Sequence, residues 1–136
     1  MKRNKFETLQ KEYPELKQMT FNNHGFDYLI ENHNGLSLKI EHKFRSAGVK
    51  VDITPTQESV ADIISLKTEN NEHFHMAMET YSRISKPHSA LSSGYKGKSR
   101  EVTQKKFIEN ATKDLYEVAN KIKLNYGTLE EFLSNE

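Results

Sequence analysis

The chain has 136 residues, enough for one domain with a single hydrophobic core and too few for two. It contains no cysteine, which excludes disulfides and thiolate metal sites, and no apolar run approaches the length of a membrane span. With a formal net charge of +1 and a mean hydropathy of −0.82, the composition predicts a cytoplasmic protein with no strong global charge.

The first part of the chain predicts a helix followed by three strands. Apolar residues recur every three or four positions over residues 4–20, which predicts a helix that Pro14 would kink or divide. Residues 26–44 then alternate around Asn34-Gly35, the pattern of a β-hairpin. A third short strand is expected at residues 49–53.

The second part predicts a short helix, two strands and C-terminal helices. Thr54-Pro55 marks the start of the short helix, and residues 61–66 form an apolar run typical of a buried strand. Residues 73–84 fit either strand alternation or one helical face, and we favour a strand. An amphipathic pattern predicts a long helix over residues 101–124, and a last short helix is expected over 129–133.

These elements predict an α+β fold in a single domain spanning residues 1–136. A central mixed sheet of about five strands would begin with the hairpin. An N-terminal helix, a short middle helix and a long C-terminal helix would flank it. Within this domain we distinguish a catalytic core (1–83), a basic loop (84–100) and C-terminal helices (101–136).

The predicted hairpin carries a candidate catalytic centre. If His33-Asn34-Gly35 forms a three-residue loop, the pairing places Asp27 opposite Glu41, with Lys43 on the same face. Two facing carboxylates repel each other unless a cation lies between them. A two-residue loop would instead place Asp27 opposite His42 and separate the three groups, so the hypothesis depends on the register.

Carboxylate oxygens of this kind suit Mg²⁺, with Mn²⁺ able to substitute. Such a metal, held by Asp27 and Glu41, would activate water for hydrolysis of a phosphodiester without a covalent intermediate. Lys43 would orient or help deprotonate that water and stabilise the transition state. We expect Glu41 and Lys43 to face water or metal, so that alanine at either position would leave the fold intact. If the residues are not catalytic, they are the solvated face of a half-exposed sheet.

The segments Gly25-Phe26-Asp27 and Ile40-Glu41-His42-Lys43 resemble the motif of the PD-(D/E)xK superfamily, the restriction-endonuclease-like nucleases. The order of elements over residues 4–68 is also similar to that family's core. The resemblance implies metal-dependent DNA cleavage, with Asp27 and Glu41 as metal ligands and Lys43 in the active site. The sequence departs from the pattern at Phe26, where the family often has proline.

The resemblance further implies two accessory positions. Many members supply an acid from the first helix, for which Glu7, Glu12 and Glu15 compete, and Glu12 is our candidate. Some members place a glutamine after the third strand, and Gln57 could occupy that position.

Basic residues concentrate in one stretch. Seven lysines and arginines stand between residues 83 and 106, against the single acid Glu101. This stretch predicts a phosphate-binding loop rich in Ser and Gly, although it could also be a solvated connector. The predicted DNA contacts are Lys86, Ser93, Tyr95, Lys96, Lys98 and Arg100.

Histidines offer a separate hypothesis. If residues 73–84 begin as a strand, His73 and His75 share one face, and His88 could complete a zinc site. A structural role is favoured, because no carboxylate or cysteine has ligand-like spacing to them.

The sequence therefore predicts a Mg²⁺-dependent DNA endonuclease of the type II restriction kind. Cutting both strands requires two active sites, so a homodimer is expected. One alternative is a structure-selective, junction-resolving nuclease with the same centre. Another is a non-enzymatic regulator or nucleic-acid-binding protein encoded by a phage or mobile element.

Overall fold

The computed structural model describes residues 5–19, 25–33, 36–88 and 99–122. Within these ranges the chain forms five helices and eight strands. In chain order they are α1 Lys5–Glu12, β1 Lys17–Gln18, β2 Tyr28–His33, β3 Leu36–Phe44, β4 Val51–Ile53, α2 Pro55–Val60, β5 Ile63–Lys67, β6 His73–Ala77, α3 Met78–Ile84, β7 Lys86–Pro87, β8 Arg100–Val102, α4 Gln104–Glu109 and α5, 115–122.

Five of the strands form one mixed sheet in the order β1-β2-β3-β5-β6. Neighbours in it are antiparallel except β3 and β5, which run parallel and are joined by a crossover that contains β4 and α2. Strands β4, β8 and β7 form a second, small antiparallel sheet, which shares no strand with the large one. The predicted fold class, an α+β domain with a five-stranded mixed sheet begun by a hairpin, is confirmed.

The hairpin has the predicted register between Tyr28 and Ile40, but its loop is shorter than predicted and a bulge compensates for the difference. His33 pairs with Leu36, so two residues rather than three separate the paired ends. A register shift between Ile30 and His33 then restores the expected alignment, in which Tyr28 lies opposite Ile40. An extra residue accommodated by such a bulge moves every following side chain back to its intended face.

Each face of the large sheet is covered by its own apolar cluster. On one face α1 and α5 pack against β2, β3 and β5, through residues that include Leu9, Tyr28, Ile40, Ile63 and Leu115. On the other face the small sheet, α3 and α4 pack against β5 and β6, through residues that include Val51, Ile64, Phe74, Tyr81 and Phe107. Burial of both faces explains why all five residues of β5 are buried and three of them are apolar.

The predicted helix over residues 4–20 is wrong in its second half. The helix α1 ends at Glu12, and Lys17–Gln18 forms the edge strand β1 beside β2. Pro14 accounts for the break, because proline removes a helical hydrogen bond and disfavours helical geometry at the residue before it.

The long helix predicted over residues 101–124 is also wrong. Residues Arg100–Val102 pair with β4 as strand β8, and the helical part is divided into α4 and α5. Between these helices Thr112 forms an isolated backbone bridge with His75. Both helices bury apolar residues, so the apolar spacing continues across the break. They cover different clusters, with Phe107 on one face of the sheet and Leu115 on the other.

Two further predictions are partly right. Residues 73–84 begin as strand β6 and continue from Met78 as helix α3, so both the strand and the helical pattern were present in turn. The third strand exists as β4, but it pairs with β8 in the small sheet rather than with the hairpin. The helix predicted over 129–133 lies outside the described residues. None of the helices in the described ranges is long and apolar enough to cross a membrane.

Candidate active site

Glu41 and Lys43 lie side by side on β3. Strand alternation places both on the face of the sheet opposite His42, and Lys43 Nζ lies 3.5 Å from Glu41 Oε2. Their exposed fractions are only 4% and 5%, so they are not the wet face of a half-exposed sheet. Of the two surroundings expected for them, water and metal, exposure to water is wrong. A buried charge needs a partner, and these two residues neutralise each other.

Gln57 joins the pair from helix α2. Its side-chain amide donates to Glu41 Oε2 at 3.0 Å, and its side-chain oxygen accepts from Lys43 Nζ at 2.9 Å. One amide group therefore satisfies both charged side chains. The structure brings this predicted accessory residue together with Glu41 and Lys43.

The start of α2 explains how Gln57 is held. Thr54 caps the helix, its hydroxyl accepting from the Gln57 backbone at 3.1 Å, while Gln57 Oε1 accepts from the Thr54 backbone at 2.9 Å. Pro55 occupies the first helical turn. This is a capping box. The sequence carried its signature, Thr followed three residues later by Gln, and that signal could have identified Thr54 as a support of the site.

Asp27 lies immediately before β2. Its backbone N–H donates to Ile40 O at 2.7 Å, and its Oδ2 accepts from the His42 backbone N–H at 2.8 Å. The register pairs Tyr28 with Ile40, so Asp27 and Glu41 are the next residues of the two segments beyond that pair. The backbone of β3 thus holds the Asp27 carboxylate through the N–H of His42, the residue between Glu41 and Lys43.

The donor set fits a hard divalent cation. Asp27 and Glu41 offer carboxylate oxygens, and Mg²⁺ commonly binds one or two carboxylates while keeping several waters. The described part of the chain holds no group of three or more His, Asp or Glu side chains that could hold a metal ion by themselves. An ion bound by these two carboxylates would take its remaining ligands from water and substrate oxygens.

Glu12, the candidate acid from the first helix, is not brought to this set. Its Oε2 lies 2.6 Å from His73 Nδ1. His73 packs against the ring of His42, on the face of the sheet opposite Glu41 and Lys43. The sheet itself separates Glu12 from the candidate site.

The three histidines of the zinc hypothesis are also not brought together. His73 and His75 share one face of β6 with stacked rings 6.2 Å apart, but His88 lies by the small sheet, 3.3 Å from Glu101 and 3.6 Å from Asp52. Burial lowers the pKa of His75 to about 3, and neighbouring His73 adds to that effect. Burial also lowers the pKa of His73, although Glu12 opposes the shift.

The predicted DNA contacts are only partly described. Lys86 is exposed on β7. Arg100 is held on β8, where its guanidinium donates to the hydroxyl and carbonyl oxygens of Ser85, both at 2.7 Å. The other predicted contacts, Ser93, Tyr95, Lys96 and Lys98, lie outside the described residues.

The fold is similar to that of a solved nuclease structure. Hjc, a Holliday junction resolvase from the archaeal hyperthermophile Archaeoglobus fulgidus, superposes with a TM-score of 0.54. The match has 11% sequence identity and covers 76% of this chain and 88% of that chain. Neither a protein-family profile nor the sequence of a curated protein matches the chain. At this identity the likeness shows a common fold, and the function has to be argued from the site.

Proposed function

We propose that this chain is a metal-dependent endonuclease that cuts branched DNA. The observation that carries the proposal is the buried set of Glu41, Lys43 and Gln57, which lies on a fold similar to that of a Holliday junction resolvase. The segments around Asp27 and Glu41 resemble the motif of the PD-(D/E)xK nucleases, and the fold is similar to that of Hjc, a Holliday junction resolvase. Two independent observations, residue pattern and fold, thus support the same chemistry.

In this proposal Asp27 and Glu41 would hold one Mg²⁺, and such an ion would supply an activated water and positive charge at the scissile phosphate. The backbone N–H of His42 orients the Asp27 carboxylate toward the site. Gln57 holds Glu41 and Lys43 at a fixed separation. The Lys43 ammonium lies in a desolvated position, where it stabilises the negative charge that develops on the phosphate more strongly than it would in water.

The choice of substrate rests on the comparison. A type II restriction enzyme was the main expectation from sequence, with a junction-resolving enzyme as the alternative. The likeness to Hjc favours the alternative. Since resolving a junction requires two strands to be cut, we also propose that the chain acts as a homodimer.

The basic loop supports a substrate-binding role through its two described ends. His88 N–H donates to Ser99 O at 3.0 Å, which closes the loop at its base. The hydroxyl of Ser99 donates to Glu58 on α2 at 3.0 Å, one residue from Gln57. The loop therefore ends beside the helix that contributes to the candidate site. Lys96 and Lys98 remain proposed phosphate contacts.

The test is cleavage of matched DNA substrates. We expect a four-way junction to be cut in the presence of Mg²⁺ or Mn²⁺, a linear duplex of the same arm sequence to be cut far more slowly, and EDTA to stop both reactions. Equal cleavage of junction and linear duplex would contradict the proposed preference for junctions, while the proposed nuclease activity would stand. No cleavage of either substrate with either metal would refute the enzymatic function and favour a binding protein.

A further inference from the structure

Gly25, two residues before Asp27, makes an unusually close contact with helix α2. Its φ is +83°, in the left-handed region that side chains rarely adopt. A Cβ at this position would lie 3.0 Å from Thr56 Cγ2, 3.1 Å from Thr56 O and 3.1 Å from Val60 Cβ. The backbone of Gly25 therefore rests directly on the helix.

The contact sets how far α2 stands from the hairpin. Thr56 and Val60 are four residues apart, so they lie on one face of the helix and form the surface that Gly25 touches. One of the three contacting atoms is a backbone oxygen, which cannot rotate away as a side chain could. A methyl group at residue 25 would therefore displace the helix or the strand entrance.

Both sides of this contact carry members of the candidate site. Gln57 follows Thr56 on the helix and bonds Glu41 and Lys43. Asp27 follows Gly25 by two residues and is bonded to the β3 backbone. A displacement of a few tenths of an ångström between helix and strand entrance would change the geometry of Gln57 relative to both carboxylates.

We propose that Gly25 is a positioning residue, which seats α2 so that the Gln57 amide bridges Glu41 and Lys43 beside Asp27. For its effect on catalysis, this inference rests on the proposed nuclease function. Its structural part, the placement of the Gln57 amide, can be measured without any activity.

Gly48 provides a matched control. Its φ is +82°, almost equal to that of Gly25, but no heavy atom of the described residues lies within 4 Å of a Cβ placed there. Gly48→Ala therefore introduces the same backbone strain without a collision. The difference between Gly25→Ala and Gly48→Ala isolates the contact with α2.

Two measurements are made on both variants and on the unaltered chain. The first is the initial cleavage rate as a function of Mg²⁺ concentration. We expect Gly25→Ala to raise the half-saturating Mg²⁺ concentration and to lower the maximal rate. At low Mg²⁺ the two effects together should reduce the cleavage rate at least about tenfold. Gly48→Ala should stay within about twofold of the unaltered chain. The second is the NMR signal of the Gln57 side-chain amide, assigned by its loss in Gln57→Leu, which should move in Gly25→Ala and not in Gly48→Ala.

A rescue variant separates collision from strain. Thr56→Ser removes Cγ2, the nearest of the three contacting atoms, so Gly25→Ala combined with Thr56→Ser should recover part of the lost rate and amide shift. If Gly25→Ala alone does not fold, the double variant replaces it and is compared with Gly48→Ala in the same way.

The outcomes distinguish the two proposals. If the unaltered chain cuts DNA and Gly25→Ala matches Gly48→Ala in both measurements, the positioning role is overturned and the nuclease stands. If the unaltered chain does not cut, the nuclease fails, and the amide signal alone decides whether Gly25 seats α2. An amide signal that is unchanged in Gly25→Ala would overturn the inference in either case.

Discussion

The two faces of the five-stranded sheet both bury polar side chains, but they do so in different ways. On one face Glu41 and Lys43 are buried as charges of opposite sign, bonded to each other and to Gln57. On the other face burial lowers the pKa of both His73 and His75, and the buried Lys67 places its ammonium over the ring of Phe44. Polar burial alone therefore does not identify a catalytic site. A buried pair of opposite charges bridged by one amide is the arrangement that distinguishes the candidate site.

The largest expected effect comes from removing the charge of Glu41 without changing its shape. Glu41→Gln should reduce cleavage of the preferred DNA substrate to background, because the proposed metal loses a carboxylate ligand. Lys43→Met should reduce it at least about 100-fold, because the charge facing the phosphate is lost. Rates are measured at saturating Mg²⁺, with circular dichroism as the check on folding. More than a tenth of the original rate in either variant would contradict the assignment.

Alanine is a poorer choice at these positions than the sequence suggested. Glu41→Ala leaves the buried Lys43 charge without its carboxylate partner, and breaking a buried ion pair in this way costs about 3–5 kcal/mol. Unfolding in urea should show this loss for Glu41→Ala and a smaller one for Glu41→Gln, whose amide can still accept a hydrogen bond from Lys43. Equal stability of the two variants would show that the pair is not desolvated.

The histidine face predicts a loss of stability in acid. The pKa of His75 is about 3 in the folded chain against an ordinary value of 6.5, so its neutral form is the one that favours folding. That contribution is fully present above about pH 6.5 and is lost as the pH falls toward 3. In this range the free energy of unfolding should decrease by roughly 1.4 kcal/mol per pH unit from this residue alone.

Urea unfolding at pH 7, 6, 5 and 4 measures this slope. His75→Asn keeps a polar side chain that can bond Ser65, the partner of His75 Nδ1 at 2.6 Å, but does not titrate. The variant should therefore show a flatter dependence on pH than the unaltered chain. Parallel curves for the two proteins would mean that His75 is already protonated, or is not buried, in the folded state.

The smallest effect is expected from Glu12. Its side chain is half exposed and bonded to His73 across the sheet from the candidate site, so Glu12→Gln should change cleavage by less than about twofold and stability by no more than about 1 kcal/mol. Cleavage rates and thermal unfolding measure these two quantities. A tenfold loss of cleavage with unchanged stability would return Glu12 to the catalytic set and weaken the contrast between the two faces.

The sequence was sufficient to predict those parts of the site that are formed by neighbouring residues. Asn34-Gly35 and the alternation around it predicted the hairpin, and the predicted pairing of Tyr28 with Ile40 is observed, although the loop has two residues instead of the expected three. The helix start at Thr54-Pro55 was equally readable, because caps and prolines act over a few residues. The catalytic roles of these residues remain proposals.

Long-range pairing was not readable from the sequence. Nothing local distinguishes a strand that extends the hairpin's sheet from one that pairs with residues 100–102, so β4 was assigned to the wrong sheet. The same limit explains the helix predicted over residues 101–124, since Val102 is a strand residue only because β4 lies beside it. The close packing of Gly25 against α2 likewise could not be predicted, because the two segments are distant in sequence.

The parallel pairing of β3 with β5 has a consequence for the order of assembly. The hairpin that carries Asp27, Glu41 and Lys43 joins neighbouring segments, and such structures form within microseconds. Gln57 arrives only when the crossover has closed and β5 has docked, a slower step because it brings together distant parts of the chain. If the chain is the proposed nuclease, the newly made polypeptide should cut DNA only after its sheet is complete.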